Sequence, residues 1–102
     1  MRLGQHFLKS KKVIDKIIEA AEIKTGDIVL EIGPGMGALT EALLENSGEV
    51  IAVEKDKELF EFLQSKFRDA KNLQLVHGDI LRIRKIIIFE RVVSPQANPL
   101  AD

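Results

Sequence analysis

The chain has 102 residues and a formal net charge of -1, with 45% hydrophobic and 30% charged residues. This is the size of one domain with an ordinary globular composition. It contains no Cys, which excludes disulfides, thiol chemistry and zinc–thiolate sites, and no apolar stretch approaches the ~20 residues needed to span a bilayer. The N-terminus is basic but lacks the apolar h-region of a signal peptide, so a cytoplasmic protein without a membrane partner is expected.

In chain order, Ser10 is placed to cap a helix that runs to about Glu22, with Val13, Ile14, Ile17, Ile18 and Ala21 on its apolar face. Thr25-Gly26-Asp27 is a turn. Ile28 to Ile32 is a strand, apolar enough to be buried on both faces as in a parallel sheet. Gly33 to Gly37 forms a loop, Leu39 to Leu44 a second helix, and Asn46-Ser47-Gly48 its end. Val50 to Glu54 is a second strand. Asp56 caps a third helix to about Phe67, with Leu59, Phe60, Leu63 and Phe67 turned inward. Leu73 to Val76 is a third strand with His77-Gly78-Asp79 as its exit, and Ile86 to Val93 is a fourth apolar run. Strands alternating with helices predict a parallel, doubly wound sheet with right-handed crossovers.

Charge is unevenly spread. Arg2, Lys9, Lys11, Lys12 and Lys16 gather at the N-terminus, Arg82, Arg84 and Lys85 form a second basic group, and the acidic residues crowd the middle. A basic arm is compatible with nucleic-acid contact, although on charge alone a solvated lysine face is the simpler account.

Three strand exits carry groups suited to a nucleotide-like ligand. A strand that turns through glycines into a helix N-terminus lets a ligand approach backbone N–H groups. Glu54 lies at the end of the second strand, where a carboxylate can accept both ribose hydroxyls. Asp79, at the third exit, is positioned to accept from an exocyclic amine such as adenine N6, and Gly78 leaves room for a flat ring. Each has a bland alternative: glycine for turn geometry, Glu54 as a surface carboxylate, Asp79 as a turn or helix cap. The combination along one sheet edge favours a cofactor site. The spacing Gly33-x-Gly35-x-Gly37 departs from the dinucleotide fingerprint, and Pro34 removes one N–H from the loop. Both features favour S-adenosylmethionine over a nicotinamide dinucleotide.

The segments Gln5-His6-Phe7-Leu8, Glu31-Ile32-Gly33-Pro34-Gly35-Met36-Gly37, Val53-Glu54-x-Asp56 and His77-Gly78-Asp79-Ile80-Leu81 occur in this order. Together they resemble the motifs of the ribosomal RNA adenine N6,N6-dimethyltransferases, over residues 1 to about 94. The resemblance implies an α/β fold, a partial Rossmann-like class I methyltransferase domain with a mostly parallel sheet flanked by helices. It implies methyl transfer from S-adenosylmethionine to adenine N6 of small-subunit ribosomal RNA. It further implies that His6 and Leu8 meet the methionine end of the cofactor, Gly33 and Gly35 line its amino-acid portion, Glu54 holds the ribose and Asp79 the adenine amine. No metal is expected, since His6 and His77 lack partners at ligand spacing.

The family's Asn-Leu-Pro-Tyr motif should follow the fourth strand. Here residues 95–102 read Pro-Gln-Ala-Asn-Pro-Leu-Ala-Asp, and the chain has no Tyr. The family's catalytic roles therefore pass to no residue of this chain. Residues 1–94 are expected to be the N-terminal part of the cofactor-binding domain and 95–102 a divergent tail. Weak or absent turnover is expected, with self-association through the exposed sheet edge near Ile86 to Val93. Two alternatives stay open: a non-catalytic cofactor- or RNA-binding module, and a self-associating fragment without activity.

Overall fold

A computed structural model of the protein describes residues 10–82 and 91–93. Its first helix, α1 (Lys11–Ala20), is capped by Ser10, whose hydroxyl accepts from the Val13 N–H. Then come β1 (Ile28–Ile32), α2 (Ala38–Asn46), β2 (Glu49–Glu54), α3 (Lys57–Lys66) and β3 (Leu73–His77). A 3-10 turn at Ile80–Arg82 follows, and β4 (Arg91–Val93) completes the order.

The four strands form one parallel sheet in the order β3-β2-β1-β4. The chain steps outward from β1 through β2 to β3 and then returns to the other side of β1. The winding thus reverses at β1, the position where open α/β sheets form a ligand crevice at the carboxyl ends of their strands.

Side chains alternate across a strand, and the register places Val29, Val50 and Leu73 on one face of the sheet. Ile14 and Ile17 of α1 and Leu39 and Leu43 of α2 pack with Val29 and Val50 to make the core, with Leu73 packed against it. Phe60 of α3 stacks on His77, with ring centroids 5.0 Å apart. His77 pairs in register with Glu54, two residues on from Ala52, and so belongs to the same face. All three described α-helices therefore cover one side of the sheet.

Several details depart from the sequence expectations. Ile28 is 37% exposed rather than buried on both faces, because it opens β1 at the rim of the sheet. In α3 only Leu63 is buried. Leu59, Phe60 and Phe67 are half-buried, since β3 is an edge strand and the helix overhangs it. α1 ends at Ala20, just before Glu22, which adopts a left-handed φ of 55°. Of the predicted fourth run, Arg91–Val93 is strand, and the remainder lies outside the described residues, as do His6, Leu8 and the 95–102 tail.

Candidate cofactor site

β1 delivers the chain into the glycine loop at the point where the winding reverses. Gly33, Gly35 and Gly37 have φ of 68°, 61° and 89°. These left-handed conformations cost an L-residue roughly 1–2 kcal/mol each. Gly33 and Gly35 have a second property: a Cβ placed on either meets no atom of the described residues within 4 Å. They face open space, a cradle that side chains would fill. Gly37 is different, since its Cβ would lie 2.7 Å from the Phe67 ring. It is glycine so that the end of α3 can pack on the loop. Gly37 also caps α2 without a side-chain acceptor, so the N–H groups of the first turn receive no side-chain oxygen from it.

Glu54 joins the three strand exits. The residue is buried, 5% exposed. Oε1 accepts from the Gly35 N–H at 3.3 Å and Oε2 from the Asp56 N–H at 3.0 Å. Its backbone carbonyl accepts from Gly78 N–H at 3.0 Å, and the Gly33 N–H donates to the Val53 carbonyl at 2.9 Å. The glycine loop, the end of β2 and the exit of β3 are thus tied through one residue. Asp79 lies half-buried at that third exit, where its Oδ1 accepts from the Leu81 N–H at 3.0 Å. The turn-capping alternative for Asp79 therefore holds alongside its place on the site edge. From outside, the Lys66 ammonium donates to the Met36 carbonyl at 2.9 Å and so holds the tip of the loop.

One acidic group belongs to this edge that sequence reasoning did not assign to the site. Glu31, immediately before the loop in β1, is fully buried, as is Thr40 in the first turns of α2. The Thr40 hydroxyl donates to Glu31 Oε1, while Oε2 has no hydrogen-bond partner among the described residues. Burial above all, against the Thr40 hydrogen bond and with a smaller push from the Glu54 charge, raises the Glu31 carboxyl to about 7. The signal was a charged residue at an inward position of an otherwise apolar strand.

Among the described residues no group of three or more His, Asp or Glu side chains could hold a metal ion. A broad depression of about 580 Å³ lies at the opposite edge of the sheet, between the ends of α1 and α2, with Asp15, Glu19 and Glu22 in its wall. It is remote from the glycine loop.

A parallel sheet wound in this order, with a left-handed glycine loop after β1 and an acidic residue closing β2, defines a Rossmann-like domain of the class I methyltransferases. The chain belongs to the ribosomal RNA adenine dimethylase family, whose model matches residues 1–91. It is 54% identical over 80 residues to a ribosomal RNA small subunit methyltransferase A of Dehalococcoides mccartyi, covering 78% of this chain and 28% of that protein. Among solved structures it superposes on a dimethyladenosine transferase from Plasmodium falciparum with a TM-score of 0.74 and 33% identity, over 83% of this chain and 31% of the other. It also superposes on coclaurine N-methyltransferase bound to N-methylheliamine and SAH, with a TM-score of 0.73 and 26% identity, over 81% and 26% of the two chains. The chain thus spans less than a third of the length of each of these proteins.

Proposed function

We propose that residues 1–94 form the S-adenosylmethionine-binding part of an enzyme that methylates adenine N6 of small-subunit ribosomal RNA in the cytoplasm. The observation that carries this proposal is the open cradle at Gly33 and Gly35, placed at the winding reversal and hydrogen-bonded to the Glu54 carboxylate. When bound, S-adenosylmethionine supplies an electrophilic methyl group on its sulfonium. The chain's own residues bind and orient. Gly33 and Gly35 let the amino-acid portion lie against backbone that a Cβ would otherwise cover. Glu54, already held by two N–H groups, presents its carboxylate to the ribose hydroxyls, and Asp79 presents its free acceptor capacity to the adenine amine. His6 and Leu8 are assigned to the methionine end by family resemblance alone. Fixing the donor in this way supplies the orientation on which methyl transfer depends.

The RNA partner is part of the same proposal. Lys12 and Lys16 are exposed on α1 and, with the basic residues before them, suit a phosphate backbone. Self-association is a second proposal, favoured by the edge of β4: that strand pairs with β1 on one side, and no described strand pairs with its other side. Gel filtration is expected to show species larger than a monomer that dissociate on dilution, and a stable monomer at high concentration would sink the idea.

Calorimetric titration with S-adenosylmethionine tests the main proposal. Saturable binding by the chain that Asp79→Ala weakens is the expected result. A folded chain that gives no binding heat overturns it.

A further inference from the structure

Glu31 has no task in the cofactor site as assigned, yet its placement is costly. A buried carboxylate with one oxygen that no described residue hydrogen-bonds loses its hydration without full compensation from them. A bridge from β1 to Thr40 alone needs only a neutral acceptor. Glu31 instead brings an ionisable group to within reach of Glu54, whose charge acts on it, and Glu54 is itself bonded to Gly35 of the cradle. One carboxyl group behind the loop is therefore coupled electrostatically to the carboxylate in front of it.

The groups that face Glu31 can be named from each side. From α2 comes the Thr40 hydroxyl, and from β2 the Glu54 carboxylate, with Ala52 as its register partner. From β4 the register partner is Val93. Among the described residues, no cation is one of the groups that shift the Glu31 carboxyl.

We propose that Glu31 couples filling of the cofactor site to release of a proton. The proposal rests on S-adenosylmethionine being the ligand. That molecule carries a sulfonium and an ammonium against one carboxylate, a net positive charge. Its amino-acid portion, laid against Gly33 and Gly35 just beyond the buried Glu31, brings that charge near the carboxyl and favours its ionised form. Ribose hydroxyls donating to Glu54 also spread the charge that repels Glu31. The carboxyl O–H of Glu31 then breaks, its proton passes to buffer, and the carboxylate stays under the Thr40 hydroxyl. Proton and ligand compete, so affinity rises with pH through neutrality. With the free carboxyl near about 7, the expected gain is about tenfold between pH 6 and pH 8.

Calorimetry of the chain with S-adenosylmethionine at pH 7, in two buffers of different ionisation enthalpy, counts the protons. The expected release attributable to Glu31 is roughly half a proton per ligand, read as the difference between the chain and Glu31→Gln. Glutamine keeps an oxygen for the Thr40 hydroxyl. The uncharged thioether S-adenosylhomocysteine carries the same amine and is expected to release less. Equal release from the chain and Glu31→Gln would assign the proton elsewhere, for example to the ligand amine, and overturn the proposal. Should Glu31→Gln fail to fold, the unaltered chain decides: affinity that is flat from pH 6 to pH 8 overturns the proposal while leaving the cofactor assignment standing. Absence of any binding heat removes the cofactor assignment, and this coupling with it.

Discussion

At the edge where the strands begin, Gly48 is boxed in by backbone. An added Cβ would lie 2.9 Å from the Thr25 carbonyl and 3.2 Å from that of Asp27. The same Asp27 carbonyl accepts from the N–H groups of Gly48 and Glu49, at 2.9 and 3.1 Å. At the edge where the strands end, Gly33 and Gly35 face no described residue within 4 Å and hold a left-handed φ that other residues resist. Gly26 also faces open space, but without the left-handed φ. The contrast separates two uses of glycine that look alike in sequence. At one edge its small size lets two chain segments pack. At the other it keeps a surface clear and shapes the backbone around a ligand.

The largest expected effect tests that contrast directly. Gly35→Val is expected to lower S-adenosylmethionine affinity on the order of a hundredfold, because the side chain both strains the loop and enters the cradle. Gly48→Val is expected to cost about 1–3 kcal/mol of stability by overpacking, while the folded fraction binds as before. Urea titration and calorimetry on both variants measure the two quantities. If both variants lose stability and affinity in the same proportion, the distinction between the edges fails.

Next in size is the pH dependence of stability set by Glu31. Its folded carboxyl is raised from 4.5 to about 7, so between these values the folded state holds a proton that the unfolded state has lost. The contribution is fully present below the unfolded value and is lost as pH rises through the folded one. Stability is therefore expected to fall across roughly pH 4.5 to 7, by an amount of the order of a few kcal/mol. Glu31→Gln should flatten that fall and be the more stable form at pH 8. Parallel pH slopes in denaturant titrations of the two proteins would show that Glu31 does not set the dependence.

The smallest effect separates local stability from the site. Asp56 Oδ1 accepts from the Leu59 N–H at 2.9 Å and caps α3, whereas the backbone N–H of Asp56 is what holds Glu54. Asp56→Ala is expected to cost about 1 kcal/mol of stability and to leave cofactor affinity within twofold. A larger loss of affinity, measured at saturating folded fraction, would mean that the start of α3 positions Glu54 more strictly than its backbone N–H alone requires.

Much of this molecule is local and was therefore readable along the chain. Ser10 and Asp56 cap their helices because the acceptor lies three residues before the N–H it serves. Ile14 and Ile17 are buried because helical spacing puts them on one face. The glycine loop, Glu54 and Asp79 share an edge because parallel strands all end on the same side. For Asp79 the sequence left a cap and a ligand acceptor as alternatives, and the turn to Leu81 shows the cap in place without removing the acceptor from the edge.

The arrangements that only the tertiary structure decided are contacts between residues far apart in sequence. These are β4 beside β1 instead of beyond β3, Phe67 pressed on Gly37, Lys66 reaching the Met36 carbonyl 30 residues away, and Glu54 reaching Gly35 across 19. The Glu31–Thr40 pair, nine residues apart, also depends on packing, because α2 must fold back over β1 to bring the hydroxyl to the carboxyl. Periodicity and capping determine which residues form each element and which face turns inward. Burial depends on what the other elements bring to that face, and burial is what turns Glu31 from one more acidic residue into a group that titrates near neutrality.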